Sequence, residues 1–310
     1  MSWRVDGAST TNTANSGTVA GTLNNANRVL VGDGTKNNWN GKIAEIVVYS
    51  GNIIGTDRQK IETYLALKYG ITQDNTNGGI EADYLSSAGT TLWDASANSN
   101  YHNDVAGIGR DDSTYLDQRQ SMSENADAIL TIGNSTIAAS NGANASSFSA
   151  NNSFLIWGND DEPIHSFKIT DLPATIEARV ARVWKAEETG TIGTVKLRFD
   201  LSGITGPDND LNFVRLLVDA DGVFGSGATI VNSSALNNTT KVIEFDHNFT
   251  VGTGFFFSIG STDIDQAPLP IELVNFTAKE SNGKVRVAWR TNSEINNDYF
   301  IVEQSNDGIE

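Results

Sequence analysis

Thr194-Val195-Lys196-Leu197-Arg198-Phe199 alternates apolar and polar side chains without a break. Successive side chains of a strand point to opposite faces, so Val195, Leu197 and Phe199 share one face while Lys196 and Arg198 share the other. That spacing predicts a half-buried antiparallel strand. Outward from it, similar short runs recur at residues 28–31, 42–49, 128–132, 153–157, 213–218, 241–245 and 284–289, separated by Gly, Asn, Ser and Thr clusters. Many short strands with turns between them predict an all-β chain of serial β-sandwich modules, jelly-roll or immunoglobulin-like in plan.

One segment breaks the period. Residues 56–70 carry helical spacing, and both ends are written in: Thr56 with Gln59 three residues on reads as a capping box, and Gly70 sits where a left-handed C-cap belongs. A short helix is therefore expected near residues 57–69. Ile61, Tyr64, Leu65 and Lys68 would share its buried face, with the Lys stem lying along apolar surface, packed on the segment before it.

Composition narrows the function classes. Hydrophobic residues make up 38% of the 310 positions, enough for a core, and charged residues only 19%, below the usual quarter or so. The net charge of −17 repels phosphate backbones and anionic headgroups, so nucleic acid is not an expected partner. No run approaches the roughly 18 apolar residues of a membrane-spanning helix, so no membrane insertion is expected. The absence of cysteine removes disulfides, thiolate nucleophiles and sulfur-ligated metals, and His102, His165 and His247 have no ligand spacing.

Four segments follow: residues 1–72, a β-rich body at 73–265, a linker at 266–270 stiffened by Pro268 and Pro270, and a new module opening at 271–310. Met1-Ser2-Trp3-Arg4 has no apolar leader, so the chain is either cytosolic or a piece of a longer exported one, and the composition favours the second as the expectation.

Two stretches resemble known modules. Trp39-Asn40-Gly41-Lys42-Ile43-Ala44-Glu45-Ile46-Val47-Val48-Tyr49, with Tyr64-Leu65-Ala66-Leu67-Lys68-Tyr69-Gly70 after it, resembles the end of a laminin-G-like (concanavalin-type) jelly roll of the kind common in secreted Bacteroidetes proteins. Leu269-Pro270-Ile271-Glu272-Leu273, then Val285-Arg286-Val287-Ala288-Trp289 and Tyr299-Phe300-Ile301-Val302-Glu303, is similar to the opening of the fibronectin type III-like module of type IX secretion substrates. Between them, residues 91–94, 103–112, 155–160 and 217–222 resemble a module that often follows laminin-G-like domains in large surface proteins. These resemblances imply an extracellular or outer cell-surface location, with neighbouring domains of the same longer chain as partners.

The chemistry is sparse. Asp219-Ala220-Asp221-Gly222 sets two carboxylates on one side of an extended segment before a glycine, which is either a calcium loop, with Asp208, Asn209 and Asp210 adding oxygens, or an Asp/Gly turn. Arg110-Asp111-Asp112 is either a carboxylate cluster or a solvated turn. Gly107-x-Gly109 lacks the third glycine and the following helix of a dinucleotide site. Glu187-Glu188 and Asp160-Asp161-Glu162 are adjacent carboxylates whose side chains diverge, unlike a glycosidase pair. Trp39, Trp93, Trp157, Trp184 and Tyr101 either stack on sugar rings or fill the core. The expectation is a non-catalytic adhesion or spacer segment, with a polysaccharide or cell-surface glycan as its partner. The alternative is the accessory region of a secreted polysaccharide hydrolase or protease.

Overall fold

The computed structural model describes residues 4–5, 8–9, 43–47, 49, 53–73, 82–203, 210–249, 252–264, 273–281 and 283–291. The expected strand at 28–31, Trp39, Asp208, Asn209, the 266–270 linker and residues 299–303 lie outside them. In chain order come β1 (Arg4–Val5), β2 (Ala8–Ser9), helix α1 (Gly55–Tyr69), β3 (Tyr84–Leu85), β4 (Thr91–Trp93), β5 (Asn103–Asp111), β6 (Leu116–Gln118), β7 (Gln120–Met122), β8 (Leu130–Asn134), β9 (Ser153–Asn159) and β10 (Phe167–Lys168). They continue as β11 (Ala178–Val180), β12 (Trp184–Thr189), β13 (Thr194–Asp200), β14 (Val214–Asp219), β15 (Thr229–Val231), β16 (Ala235–Asn237), β17 (Val242–Asn248), β18 (Gly252–Ser261), β19 (Leu273–Ser281) and β20 (Lys284–Thr291).

The alternation at 194–199 becomes the middle of a five-stranded sheet, β16-β17-β13-β8-β7. Leu197 stands opposite Phe245 on one side and Ile132 on the other. Val195, Leu197 and Phe199 are fully buried, so the face read from the sequence is the core face. A larger sheet runs β10-β11-β18-β12-β9-β5-β6, with β14 paired to β18 and β15 beyond it. All these pairings are antiparallel. Leu155 and Trp157 of β9, Trp184 of β12 and Phe257 of β18 meet Leu130, Leu197, Phe199 and Phe245 of the smaller sheet in one apolar cluster. The molecule is an all-β sandwich with one α-helix among the described residues.

The larger sheet is buried on both faces where β5 and β9 run. Val105, Phe154 and Ile156 point away from the sandwich and join Ala66 and Leu67 of α1, Tyr84, Leu92 and Trp93. A strand covered on both sides reads as a continuous apolar run rather than an alternation, as residues 154–157 do. Glycine is required where the helix crosses. A Cβ on Gly107 would lie 2.7 Å from Leu67 Cδ2, and one on Gly109 would strike the Phe154 ring. The Gly107-x-Gly109 pair therefore makes room for α1 and a neighbouring ring.

Three expectations change here. First, α1 buries Gln59, Thr63, Ala66 and Leu67, not the Ile61, Tyr64, Leu65 and Lys68 face, and it shares a core with the 73–265 body. The reason is a polar demand that an apolar pattern does not register: Thr63 Oγ1 accepts the Leu85 amide of β3 at 2.8 Å. Second, no capping box forms. The helix begins after Ile54 with no side-chain cap, and Gln59 turns inward. Gly70 does end it in the left-handed region at φ 68°, and its carbonyl accepts the Glu124 amide. Third, residues 43–47 of the expected 42–49 strand belong to no strand, and Glu45 among them is held by side chains, as described below.

β19 and β20 form a hairpin in which Phe276 faces Trp289. Cross-strand partners share a face, so Phe276, Val285, Val287 and Trp289 line one side of it, and Phe276, Val285 and Trp289 are exposed.

Candidate functional site

A groove of about 590 Å³ opens between Glu45, Val47, Tyr49 and Ile53, the outer face of α1 and the 111–115 turn, within the roughly 300–1,000 Å³ range of small-ligand clefts. One wall hangs on Glu45, whose carboxylate accepts Lys68 Nζ at 2.9 Å, the Tyr69 hydroxyl at 2.9 Å and the Tyr64 hydroxyl at 3.1 Å. The hydrogen bond from Lys68 holds the Glu45 carboxyl below the usual carboxylate range, against the opposing effect of burial. Bonds to Tyr64 and Glu45 hold Lys68 above its ordinary value. This clamp ties Glu45 to α1 without a ladder.

The opposite wall hangs on Asp111, the last residue of β5, which is only 2% exposed. Its carboxylate accepts the Ser87 amide at 2.9 Å, the Ser87 hydroxyl at 2.7 Å and the Ser113 amide at 3.1 Å, while its carbonyl accepts the Thr114 hydroxyl at 3.2 Å. Asp and Ser/Thr side chains bonding backbone two or three residues away make tight turns. The turn ends on Tyr115, which sits at φ 58° and is 93% exposed. A bulky side chain in the left-handed region costs about 1–2 kcal/mol, and here no burial offsets it. Tyr49 is about half exposed on the other rim. Along the helical floor Lys60 stands 3.8 Å from Asp57. Aromatic rings, hydroxyls, two carboxylates and an ammonium thus surround one open space.

The sequence candidates fall elsewhere. Asp219 is buried, and its Oδ1 accepts the amides of Asp221 and Gly222, both at 2.8 Å; Asp221 Oδ1 accepts the Val223 amide. That amide holds the Asp221 carboxyl low. The turn reading accounts for these bonds, with Gly222 at φ 83°. Asp210 belongs to another turn, accepting from Asn212 and Asn238. Among the described residues no group of three or more His, Asp or Glu side chains is arranged to hold a metal. Arg110 forks onto Asp112 at 2.7 and 3.0 Å, while Asp111 turns inward, so that triplet divides between surface and groove.

Trp93, Trp157 and Trp184 are core residues, and Trp93 Nε1 donates to His102 Nδ1. Tyr101 packs edge-on against Phe256. Glu187 pairs with Lys185, whereas Glu188 accepts the Ile192 amide, so the two do diverge. Burial raises the Glu188 carboxyl above its usual range. Tyr115 carried no weight in the sequence reading, and Asp111 entered it only within the Arg110-Asp111-Asp112 triplet, read as a carboxylate cluster or a solvated turn. The signal available was a run of turn formers, Asp111 to Thr114, ending on an aromatic.

Residues 57–253, more than half of the chain, match the family described as Domain of unknown function (DUF8202). The chain belongs to the DUF8202 family. No curated protein and no solved structure matches it. The DUF8202 match begins two residues inside α1 and ends at the start of β18, so it takes in the helix together with most of both sheets. One side of the groove, at Glu45, Val47, Tyr49 and Ile53, comes from residues before the match.

Proposed function

We propose that this chain is a non-catalytic contact module of a secreted or cell-surface protein, and that it holds a glycan in the groove between α1 and the 111–115 turn. The observation that carries the reading is Tyr115. A large aromatic held in a costly backbone region and left almost wholly in solvent is the reverse of what stability favours. The bonds of the 111–115 turn hold this conformation, and residues held in such regions cluster at ligand sites. A tyrosine ring offers an apolar face to the C–H face of a pyranose and a hydroxyl to its edge. The resemblance of the two ends to modules of exported multidomain proteins supports the location.

The test is to screen the full chain against immobilised polysaccharides and a glycan array, beside Tyr115→Ala. Binding that falls at least about tenfold in the variant, a loss of about 1.4 kcal/mol, is the expected result. Equal binding by both proteins removes the groove from the function, and no binding across the array removes the glycan.

A further inference from the structure

We propose that the groove selects uncharged glycan chains, with sugar rings stacked on Tyr115 and Tyr49 and ring hydroxyls met by Ser87, Ser113, Asp57 and Lys60. This rests on the glycan reading of the same groove and adds the class of glycan and the residues that choose it. The first argument is charge. Glu45 and Asp57 are matched by Lys68 and Lys60, with Glu45 and Lys68 2.9 Å apart and Asp57 and Lys60 3.8 Å apart. Among the described lining residues no surplus cation remains to meet a uronate or a sulfate. Buried Asp111 behind the wall adds negative charge, and the chain as a whole carries −17. A polyanion would approach against that field, whereas a neutral sugar feels none of it.

The second argument is hydrogen-bond polarity. Ser87 and Thr114 spend their hydroxyl protons inward, on the Asp111 carboxylate and carbonyl. Their lone pairs are then turned outward as fixed acceptors. Ser113 is exposed with its amide on Asp111, and its hydroxyl is free to donate or accept. Asp57 adds acceptors and Lys60 adds donors. A sugar hydroxyl is donor and acceptor at once, so a wall of mixed sense matches a polyol better than it matches a carboxylate or a phosphate, which only accept. Asp111 touches no ligand in this scheme. It is a positioning residue that sets the sense of the wall before binding.

The experiment uses the full chain in affinity electrophoresis and calorimetry. Laminarin, mannan and xylan serve as neutral probes, with alginate and polygalacturonate as acidic ones, each at about 0.05 and about 0.5 M NaCl. Expected is binding to a neutral polymer that changes less than about twofold with salt. Tyr115→Ala should weaken it at least about tenfold and Ser113→Ala about threefold, both with unchanged melting because the two residues are exposed. Asp57→Lys should make the groove cationic and admit alginate. Asp111→Asn should weaken binding at temperatures well below its own melting point, a loss that a purely structural role would not produce. Binding confined to the acidic probes, or falling steeply with salt, overturns the neutral class while leaving the groove intact if Tyr115→Ala still abolishes it. Binding indifferent to both Tyr115→Ala and Ser113→Ala, or absent for all five probes, overturns the glycan groove itself.

Discussion

Two polar clusters in this protein each contain a residue in the left-handed region, and they treat it in opposite ways. At the β5 bulge between Asn103 and Ala106, Asp104 sits at φ 51°. Its carboxylate accepts Asn125 Nδ2 at 2.6 Å, Asn159 Nδ2 at 2.7 Å and Arg182 Nη1 at 3.3 Å. Arg182 is 3% exposed and spends its other nitrogens on Asp127 and the Glu162 carbonyl. Every strained or buried charge there has a partner. At the groove Tyr115 has similar strain and its side chain stands in water. At Asp104 side-chain bonds hold the conformation and use up the side chain; at Tyr115 the backbone bonds of the turn hold it, and the ring is left free to meet a ligand.

The closed cluster gives the largest expected effect. Arg182→Ala leaves Asp104 buried beside two amides and without its cation, and should cost about 3–5 kcal/mol of folding stability. Urea titration followed by Trp fluorescence would read it. Asp104→Ala in the same background should add much less than it costs alone, since the charge left stranded by the first change is then gone. Fully additive losses would mean that the two side chains are not coupled, and would break the contrast with the groove.

Next comes the contact between α1 and the larger sheet. Gly107→Ala pushes a methyl against Leu67 and Ile156, and overpacking of this kind costs about 1–3 kcal/mol. Gly142→Ala, where a Cβ meets nothing within 4 Å, should leave the melting temperature nearly unchanged. Equal melting of both variants would show that the helix can withdraw from the sheet without loss.

How much of this was legible follows from what is local. The Thr194–Asp200 strand could be read because its period is set by neighbours in sequence, and Gly70 because a left-handed C-cap has few other occupants. The buried face of α1 was not, because Thr63 faces inward to serve the amide of Leu85, 22 residues away. The groove is still less local. Its lining comes from Glu45, Val47, Tyr49 and Ile53, from α1, from Ser87 and from residues 113–115, and its wall is set by a carboxylate that looked like half of a surface pair. Asp111 and Asp112 are adjacent and chemically identical, yet Asp111 ends β5 facing inward while Asp112 opens the turn in solvent. Only the β5 ladder tells them apart.

Tyr115 itself should have a small stability effect of the opposite sign. Asn enters the left-handed region more cheaply than Tyr, so Tyr115→Asn should raise stability by about 0.5–1 kcal/mol while removing the stacking face. Melting and glycan binding would then move in opposite directions, a combination that scaffold residues such as Arg182 cannot give. A drop in stability would mean that the Tyr115 ring rests on something and that its exposure is not the feature that matters.

The smallest effect is in pH. Glu45 is held below the usual carboxylate range chiefly by Lys68, so the clamp on the groove wall contributes stability above the unfolded-state value of about 4.5 and loses it as pH falls through the lower folded value. Between pH 5 and pH 8 the carboxylate stays charged, and glycan binding should be flat. Once pH falls through the lowered folded value, protonation removes the acceptor that Lys68 and Tyr69 share, the Glu45 wall loosens, and binding should fall while the sandwich core persists. Glu45→Gln, a neutral side chain of the same shape, should bring that low-pH weakness to pH 7. If the variant binds at pH 7 as the parent does, the Glu45 clamp is scaffold in the same sense as the Arg182 cluster, and the functional half of the groove reduces to the 111–115 turn.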